Sequence, residues 1–260
     1  GPAQPGGRIC VAEHEAHGDL NLLHYGRRAP EGDAQIEALT WVVVPAFNES
    51  GVIGPSVSGL RNRFSNVVVV DDGSRDATAA EARAAGAVVL RHAVNAGQGA
   101  ALQTGIDYAL ARGATYVATF DADGQHHVED LVTKLTALQG ASLDIVLGSR
   151  FLGRAEGLSL ARRLVLKAAV LFTNLTTGVR LTDAHNGLRV MTASAARRLR
   201  IRQEGMAHAS ELVAQIGRQR LRYAEVPVTI SYSDYSMAKG QRLSNSLRIL
   251  RDLVAGWLLR

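Results

Sequence analysis

The 260-residue chain has room for one large core and is too short for a multidomain assembly, at roughly 100 to 200 residues per domain. Hydrophobic residues at 47% against 20% charged exclude wholesale disorder, which needs low hydrophobicity and high net charge. A net charge of +5 suits anionic ligands but is too diffuse for a nucleic-acid footprint, and a single cysteine, Cys10, excludes both an intrachain disulfide and a cysteine-rich zinc site.

Residues 1 to about 38 mix Pro, Gly, His and charge around a weak apolar cluster at Leu20, Leu22 and Leu23, and read as a flexible or loosely docked extension. No uninterrupted apolar run of about 18 residues occurs, and the first residues lack the apolar stretch of an export signal, so neither a membrane span nor export is expected. From Trp41 onward, short β-branched runs alternate with alanine-rich stretches, the sequence form of repeated β-α units and a mainly parallel sheet. Strands are predicted at Trp41 to Val44, Val67 to Val70, Ala87 to Leu90, Thr115 to Phe120 and Asp144 to Leu147, and helices at Ala77 to Ala85, Gly99 to Ala111 and Val128 to Gln139. Past Arg150 the alternation gives way to a basic helical stretch (Leu160 to Leu175), an irregular loop (Thr176 to Arg189), a helix near Ala207 to Gln219 and a strand-like Tyr223 to Tyr232. The last stretch spaces Leu243, Leu247, Leu250, Val254 and Trp257 as one face of a basic amphipathic helix. The domains expected are therefore an extension over 1–38, an α/β domain over 39–232, and a mobile loop with the basic helix over 233–260.

Several motifs stand at strand ends, where open α/β sheets bind ligands. In Phe120-Asp121-Ala122-Asp123-Gly124-Gln125, alternate residues of an extended chain point the same way, so Asp121 and Asp123 can share a hard divalent cation, Mg²⁺ or Mn²⁺, completed by water and diphosphate oxygens; the same residues also make a plain solvated turn. Asp71-Asp72-Gly73-Ser74 ends another strand and can either accept hydrogen bonds from a nucleotide or cap the following helix. Pro45-Ala46-Phe47-Asn48-Glu49 brings polar groups to the same edge. Asn95-Ala96-Gly97-Gln98-Gly99-Ala100 opens a helix with small residues, which suits a phosphate or a close-packed turn, but it is neither a GxGxxG nor a P-loop. Gly148-Ser149-Arg150 ends the fifth strand with a guanidinium fit for a phosphate, and Arg162, Arg163, Arg189, Lys239 and Arg242 add cations that are equally at home on a solvated surface. His126-His127 is a poor zinc signature and is read as the start of a helix, with at most one ring facing a ligand.

Taken in order, VVVPAFNE (42–49), VVVVDDGS (67–74), NAGQGA (95–100), FDADGQ (120–125), GSR (148–150) and DAHNGLR (183–189) resemble family 2 glycosyltransferases of the GT-A fold over about residues 41 to 232. Within that family the chain is most similar to the dolichyl- and polyprenyl-phosphate sugar synthases, and YSDYSMAKGQRLSN (232–245) resembles the loop after their catalytic domain. It departs from them at Gly240-Gln241-Arg242, where the dolichyl type has a Gly-Ser-Lys style loop, and at His185-Asn186, where several relatives place Thr or Cys.

The resemblance implies a Rossmann-like nucleotide-binding half and an acceptor-binding half. Pro45, Ala46, Asn48, Glu49, Asp71, Asp72, Gly99, Asp121 and Ala122 would border the nucleotide sugar, joined by Lys239 and Arg242 on a mobile loop. Asp121, Asp123 and Gln125 would hold the metal. Asp123, Arg150 and Arg163 would carry catalysis, and Arg150, Arg162, Arg163, Asp183, Asn186, Arg189 and Glu211 would face the acceptor. The activity implied is inverting transfer of a hexose from a UDP- or GDP-linked donor to a polyprenyl phosphate. The enzyme would sit on the cytoplasmic face of a membrane, bound peripherally through the basic terminal helix or through a small integral membrane partner, and serve cell envelope glycan synthesis. Two other readings are a family 2 enzyme acting on a hydroxyl of a glycan or soluble acceptor, with Asp183 or Glu211 as base, and an inactive nucleotide-sugar-binding scaffold.

Overall fold

A computed structural model describes residues 8–12, 21–24, 30–155, 160–183, 186–203 and 207–230. In chain order the elements are β1 (Arg8–Ala12), β2 (Asn21–His24), α1 (Pro30–Ala38), β3 (Thr40–Ala46), α2 (Ile53–Arg61), β4 (Asn66–Asp71), α3 (Thr78–Ala84), β5 (Val88–Arg91), α4 (Gln98–Ala111), β6 (Tyr116–Thr119), α5 (Val128–Gly140), β7 (Ile145–Ala155), α6 (Leu160–Thr177), β8 (Arg189–Thr192), α7 (Ala193–Arg198), α8 (Ala207–Arg218) and β9 (Tyr223–Ile230). The strands form one nine-stranded sheet in the order β2-β1-β9-β7-β8-β6-β3-β4-β5. Seven strands run one way; only β8 and β1 are reversed, each pairing antiparallel with both of its neighbours.

The valine runs of β3 and β4 explain why this sheet is covered on both sides. Val42 and Val44 pack into one core with Ile53, Val57, Leu60, Leu131 and Leu135, while Val43 enters a second core with Leu102, Ile106 and Ala109. Alternate side chains of a strand point to opposite faces, so a strand apolar at every position must be sandwiched between helix layers. α2, α3 and α5 cover the first face, and α4, α7 and α8 the second. The chain proceeds outward from β3 through β4 to β5, then returns by α4 to β6 on the other side of β3. The ends of β3 and β6 therefore flank a topological switch point, the crevice where such sheets hold ligands.

Four elements were not predicted between residues 39 and 232: α2, β8, α7 and the second half of β7. Gly148-Ser149-Arg150 does not end its strand. β7 continues to Ala155, but its ladder to β9 breaks between Ser149 and Arg154, so Arg150 sits at a bulge, a device that re-aims side chains. Within residues 1–38, read as a flexible or loosely docked extension, the described segments form β1, β2 and α1. Strands of five and four residues are too short to show a period, and β1 is specified by β9, more than 200 residues away in sequence, through Cys10↔Glu225 to Ala12↔Tyr223. The loop and terminal helix expected over 233–260 lie outside the described residues.

Candidate functional site

The end of β3 continues as a strained turn. Asn48 adopts a left-handed φ of 53°, which an asparagine tolerates better than most residues. The turn is fixed by its own polar groups: Asn48 N donates to Ser74 Oγ at 2.9 Å, Asn48 Oδ1 accepts from Arg75 N at 3.0 Å, and Glu49 N donates to Thr78 Oγ1 at 2.8 Å. Ala46 O accepts from Asp72 N at 2.8 Å, tying the ends of β3 and β4 together. Pro45 and Ala46 are buried beneath this rim and Glu49 lies at its inner edge.

Asp71 and Asp72 were expected at the nucleotide. Both carboxylates are buried and turned to the protein's own groups. Asp71 Oδ1 accepts from Ser74 N at 3.0 Å and Oδ2 faces Arg91 Nε at 3.1 Å. Asp72 Oδ1 accepts from Ala96 N at 2.9 Å and lies 2.7 Å from His92 Nδ1, while Oδ2 accepts from Gly97 N at 2.8 Å. Asp72 thus clamps the loop that launches α4. Gly99 is in that first turn, and its Cα face is turned to the segment at Ile201 and Gln203 rather than open toward a ligand: a Cβ there would lie 2.1 Å from Gln203 O.

Asp121 and Asp123 follow β6 at the switch point. Asp121 Oδ1 accepts from Gln98 Nε2 at 3.2 Å, and Oδ2 lies 3.4 Å from Nε2 of His126, whose ring packs edge-on to Phe120. The His126 ring faces Asp121, and His127 is the residue just before α5, with no side-chain bond capping the helix. Burial acts to raise the Asp121 carboxyl, but His126, with Arg189 and His208 nearby, holds it below its ordinary value. Asp123 moves the other way: burial, the Asp121 charge and Glu49 push it up to about 6, against His126 and the Gln125 N–H that donates to Oδ1 at 3.1 Å. A carboxylate raised by the charge of its neighbour marks a concentration of negative charge that suits a cation. Among the described residues no group of three or more His, Cys, Asp and Glu side chains converges at metal-binding distance. Two carboxylates with water and substrate oxygens suit Mg²⁺ or Mn²⁺, which hold on through one or two protein carboxylates. Gln125 reaches the pair by its backbone N–H. Ala122 is buried, its carbonyl accepting from Ser56 Oγ at 3.3 Å.

The other wall comes from the second half of the chain. Gly187 abuts Asp121 so closely that a Cβ would fall 1.9 Å from Oδ2, and Gly187 O accepts from Thr119 Oγ1 at 2.6 Å. Arg189, 2% exposed on β8, is a buried cation close in charge to both Asp121 and Asp183. Arg189 Nη1 and Asn186 Nδ2 are buried with no hydrogen-bond partner among the described residues. Arg150 donates through N and Nε to Asp183 Oδ2, at 3.1 and 2.6 Å. Asp183 is held by Glu225, whose carboxylate accepts from Thr182 N at 2.7 Å and Asp183 N at 2.9 Å. Burial pushes Glu225 up to about 7, only partly offset by those N–H groups. Glu211, expected at the acceptor, instead accepts from Arg202 N and Gln203 N, both at 2.8 Å, and so ties α8 to the segment packed on Gly99. Arg162 and Arg163 fall at the start of α6 with side chains outside the described residues, as Lys239 and Arg242 are altogether. Sequence reasoning missed His208 and Glu225, which join the site only through packing of α8 and β9.

A strand-end carboxylate pair thus stands near the buried Arg189 at a topological switch point. The family model for glycosyl transferase family 2 matches residues 41–200. The chain belongs to that family. This family 2 glycosyltransferase is 29% identical over 240 residues to the UDP-N-acetylglucosamine–dolichyl-phosphate N-acetylglucosaminyltransferase of Methanococcus voltae, covering 84% of this chain and 96% of the relative. It is 31% identical over 199 residues to the undecaprenyl-phosphate mannosyltransferase of Micrococcus luteus, covering 72% and 81%. The fold is that of the GT-A glycosyltransferases. The glucosyl-3-phosphoglycerate synthase of Mycobacterium tuberculosis, solved with Mn²⁺, UDP and glucosyl-3-phosphoglycerate, matches with a TM-score of 0.68 at 21% identity, over 90% of this chain and 85% of that one.

Proposed function

We propose that this glycosyltransferase moves a hexose, with inversion, from a UDP- or GDP-linked sugar to a polyprenyl phosphate at a membrane surface. The observation that carries the reading is the juxtaposition of the Asp121 and Asp123 carboxylates with the buried Arg189, which also faces Asp183 and, through it, Arg150. A site with an acidic half and a cationic half suits two anionic substrates brought together: a metal-bound diphosphate leaving group and an attacking phosphate. A divalent cation at Asp121 and Asp123 would neutralise charge developing on the diphosphate. Arg189 Nη1 and Asn186 Nδ2 have no hydrogen-bond partner among the described residues, and phosphate oxygens would supply one.

The chemistry on the acceptor side favours a phosphate over a hydroxyl. A phosphate monoester with a second pKa near 6 is largely dianionic at neutral pH and needs no strong base. A hydroxyl does need one, and the two candidate bases are engaged: Asp183 Oδ2 by Arg150, and Glu211 Oε2 by two backbone N–H groups. The names of the Methanococcus and Micrococcus relatives support the same acceptor class, and the Mn²⁺ in the structural neighbour supports the metal. The test is incubation of the protein with Mg²⁺ or Mn²⁺, a panel of UDP- and GDP-sugars and a short-chain polyprenyl phosphate. An acid-labile sugar phosphodiester is expected, and it is lost in Asp123→Ala; no product from any donor, with the protein folded, overturns the reading.

A further inference from the structure

β7 and β9 run as a parallel ladder, with Leu147 opposite Glu225 and Ser149 opposite Pro227. On β9, Ala224, Val226 and Val228 enter the core shared with Leu131 and Leu135 of α5, so by the alternation of a strand Glu225 points to the other face. There its carboxylate grips two consecutive peptide groups: Oε2 accepts from Thr182 N at 2.7 Å and Oε1 from Asp183 N at 2.9 Å.

The ladder does not reach Arg150. Pairing stops at Ser149 and resumes at Arg154, and the bulge between them is braced by Ser149 Oγ, which accepts from Phe151 N at 3.2 Å and Leu152 N at 3.3 Å. A bulged residue has no ladder partner to set its direction. Asp183 Oδ2 supplies one, accepting from Arg150 N at 3.1 Å and from Nε at 2.6 Å. A guanidinium tied to one oxygen through both its backbone and its Nε has its plane set.

We propose that Glu225 is a positioning residue for the acceptor phosphate: it holds the 182–183 peptide, which places the Asp183 carboxylate, which aims the guanidinium of Arg150. This rests on the phosphate acceptor proposed above. The relay runs from a central strand to the bulge in three links, and a second link runs beside it, Ser149 Oγ lying 2.6 Å from Thr182 Oγ1. Glu225 is 3% exposed, and burial raises it to about 7. An ionisable group kept at such a place costs stability that an apolar side chain of similar size would not, so its worth lies in the geometry it imposes.

Glutamine isolates that geometry. It matches glutamate in size, but it has a single acceptor oxygen and turns an NH₂ toward the second peptide N–H, so only one of the two bonds survives. The experiment is steady-state kinetics of Glu225→Gln with a short-chain polyprenyl phosphate and a donor that the parent uses. The KM for the acceptor is expected to rise about tenfold, as for one lost hydrogen bond to a charged group, with the donor KM within about twofold of the parent. A parent-like acceptor KM overturns the proposal, and so does an equal rise in both. In an Arg150→Ala background the same change should cost less than about twofold, because the group it acts through is gone; an equal cost in both backgrounds overturns the proposal. Should Glu225→Gln fold poorly, Glu225→Asp, which keeps the charge but withdraws it by one methylene, is expected to show the same selective rise, and a parent-like value again overturns it. Hydrogen exchange at the Thr182 and Asp183 amides is read without any substrate: at least about tenfold faster exchange is expected in Glu225→Gln, and unchanged exchange overturns the clamp. No turnover of prenyl phosphate by the parent removes the functional reading, and the acceptor role with it, while the exchange result stands.

Discussion

Gly187→Ala isolates the position of one carboxylate. Gly187 is not in the left-handed region, so alanine is not strained by its backbone, and the whole effect is steric. The new methyl would stand 1.9 Å from Asp121 Oδ2 and 2.4 Å from Cγ and Oδ1, where ordinary contact begins at 3.4 Å, so the two groups must part by about 1.5 Å. The loop has little freedom to yield: Gly187 O is held by Thr119 Oγ1 at 2.6 Å, and Leu188 O accepts from Gly148 N at 3.0 Å. Asp121 therefore moves, and leaves Gln98 and His126. A misplacement of about 1 Å in a reacting constellation costs about 100-fold, or ~2.7 kcal/mol of transition-state stabilisation. The assay is kcat/KM for the donor, with metal affinity by calorimetry and stability by urea unfolding. Expected are a fall of about 100-fold in kcat/KM, weaker metal binding, and a stability loss of about 1–3 kcal/mol from overpacking. The control is Gly54→Ala in α2, where nothing lies within 4 Å of the added carbon and activity is retained. Turnover and metal affinity in Gly187→Ala within threefold of the parent would refute the reasoning.

Two predictions concern buried ionisable groups. Glu225, raised from 4.5 to about 7 in the fold, binds its proton more tightly folded than unfolded, so stability is lost as pH rises from about 4.5 through about 7 and is flat above. Urea titrations at pH 5 and pH 8 should show the parent losing up to about 3 kcal/mol relative to Glu225→Gln across that window; a constant difference would contradict the assignment. Lys134 is fully buried in α5, its ammonium donating to Asp130 O at 3.1 Å, and burial lowers it from 10.5 to about 7. The folded state gives up this proton more readily than the unfolded chain, so stability falls as pH drops from about 10.5 toward 7. Lys134→Met should stabilise the protein by on the order of 4 kcal/mol at pH 7, with the gain vanishing toward pH 10.5, read by the same titration.

Legibility in the sequence followed burial. The runs of β3, β4 and β6 are apolar at nearly every position because both faces are covered, and such runs stand out without any partner being known. α2 was obscured by Gly54, Pro55 and Gly59, although Ile53, Val57 and Leu60 are its buried stripe. Pro55 is tolerated because it lies in the first turn, where its missing N–H has no intrahelical bond to make. β8 and α7 are four and six residues long, too short for a period, and the one local signal was Thr192, whose Oγ1 accepts from Ala195 N at 3.1 Å as a helix cap. Within the site, Asp121 and Asp123 could be read from their place after a strand. That Asp72 turns inward could not, because its partners Ala96 and Gly97 are 24 and 25 residues away and nothing local distinguishes a carboxylate facing a loop from one facing a nucleotide.

The clamp made by Asp72 has a thermodynamic corollary. Its two backbone partners and His92 all belong to the same polypeptide, so this corner of the switch-point crevice is assembled without any ligand. Docking against that region then forfeits little conformational entropy. An inhibitor shaped to the loop that Asp72 holds would meet a rigid mould.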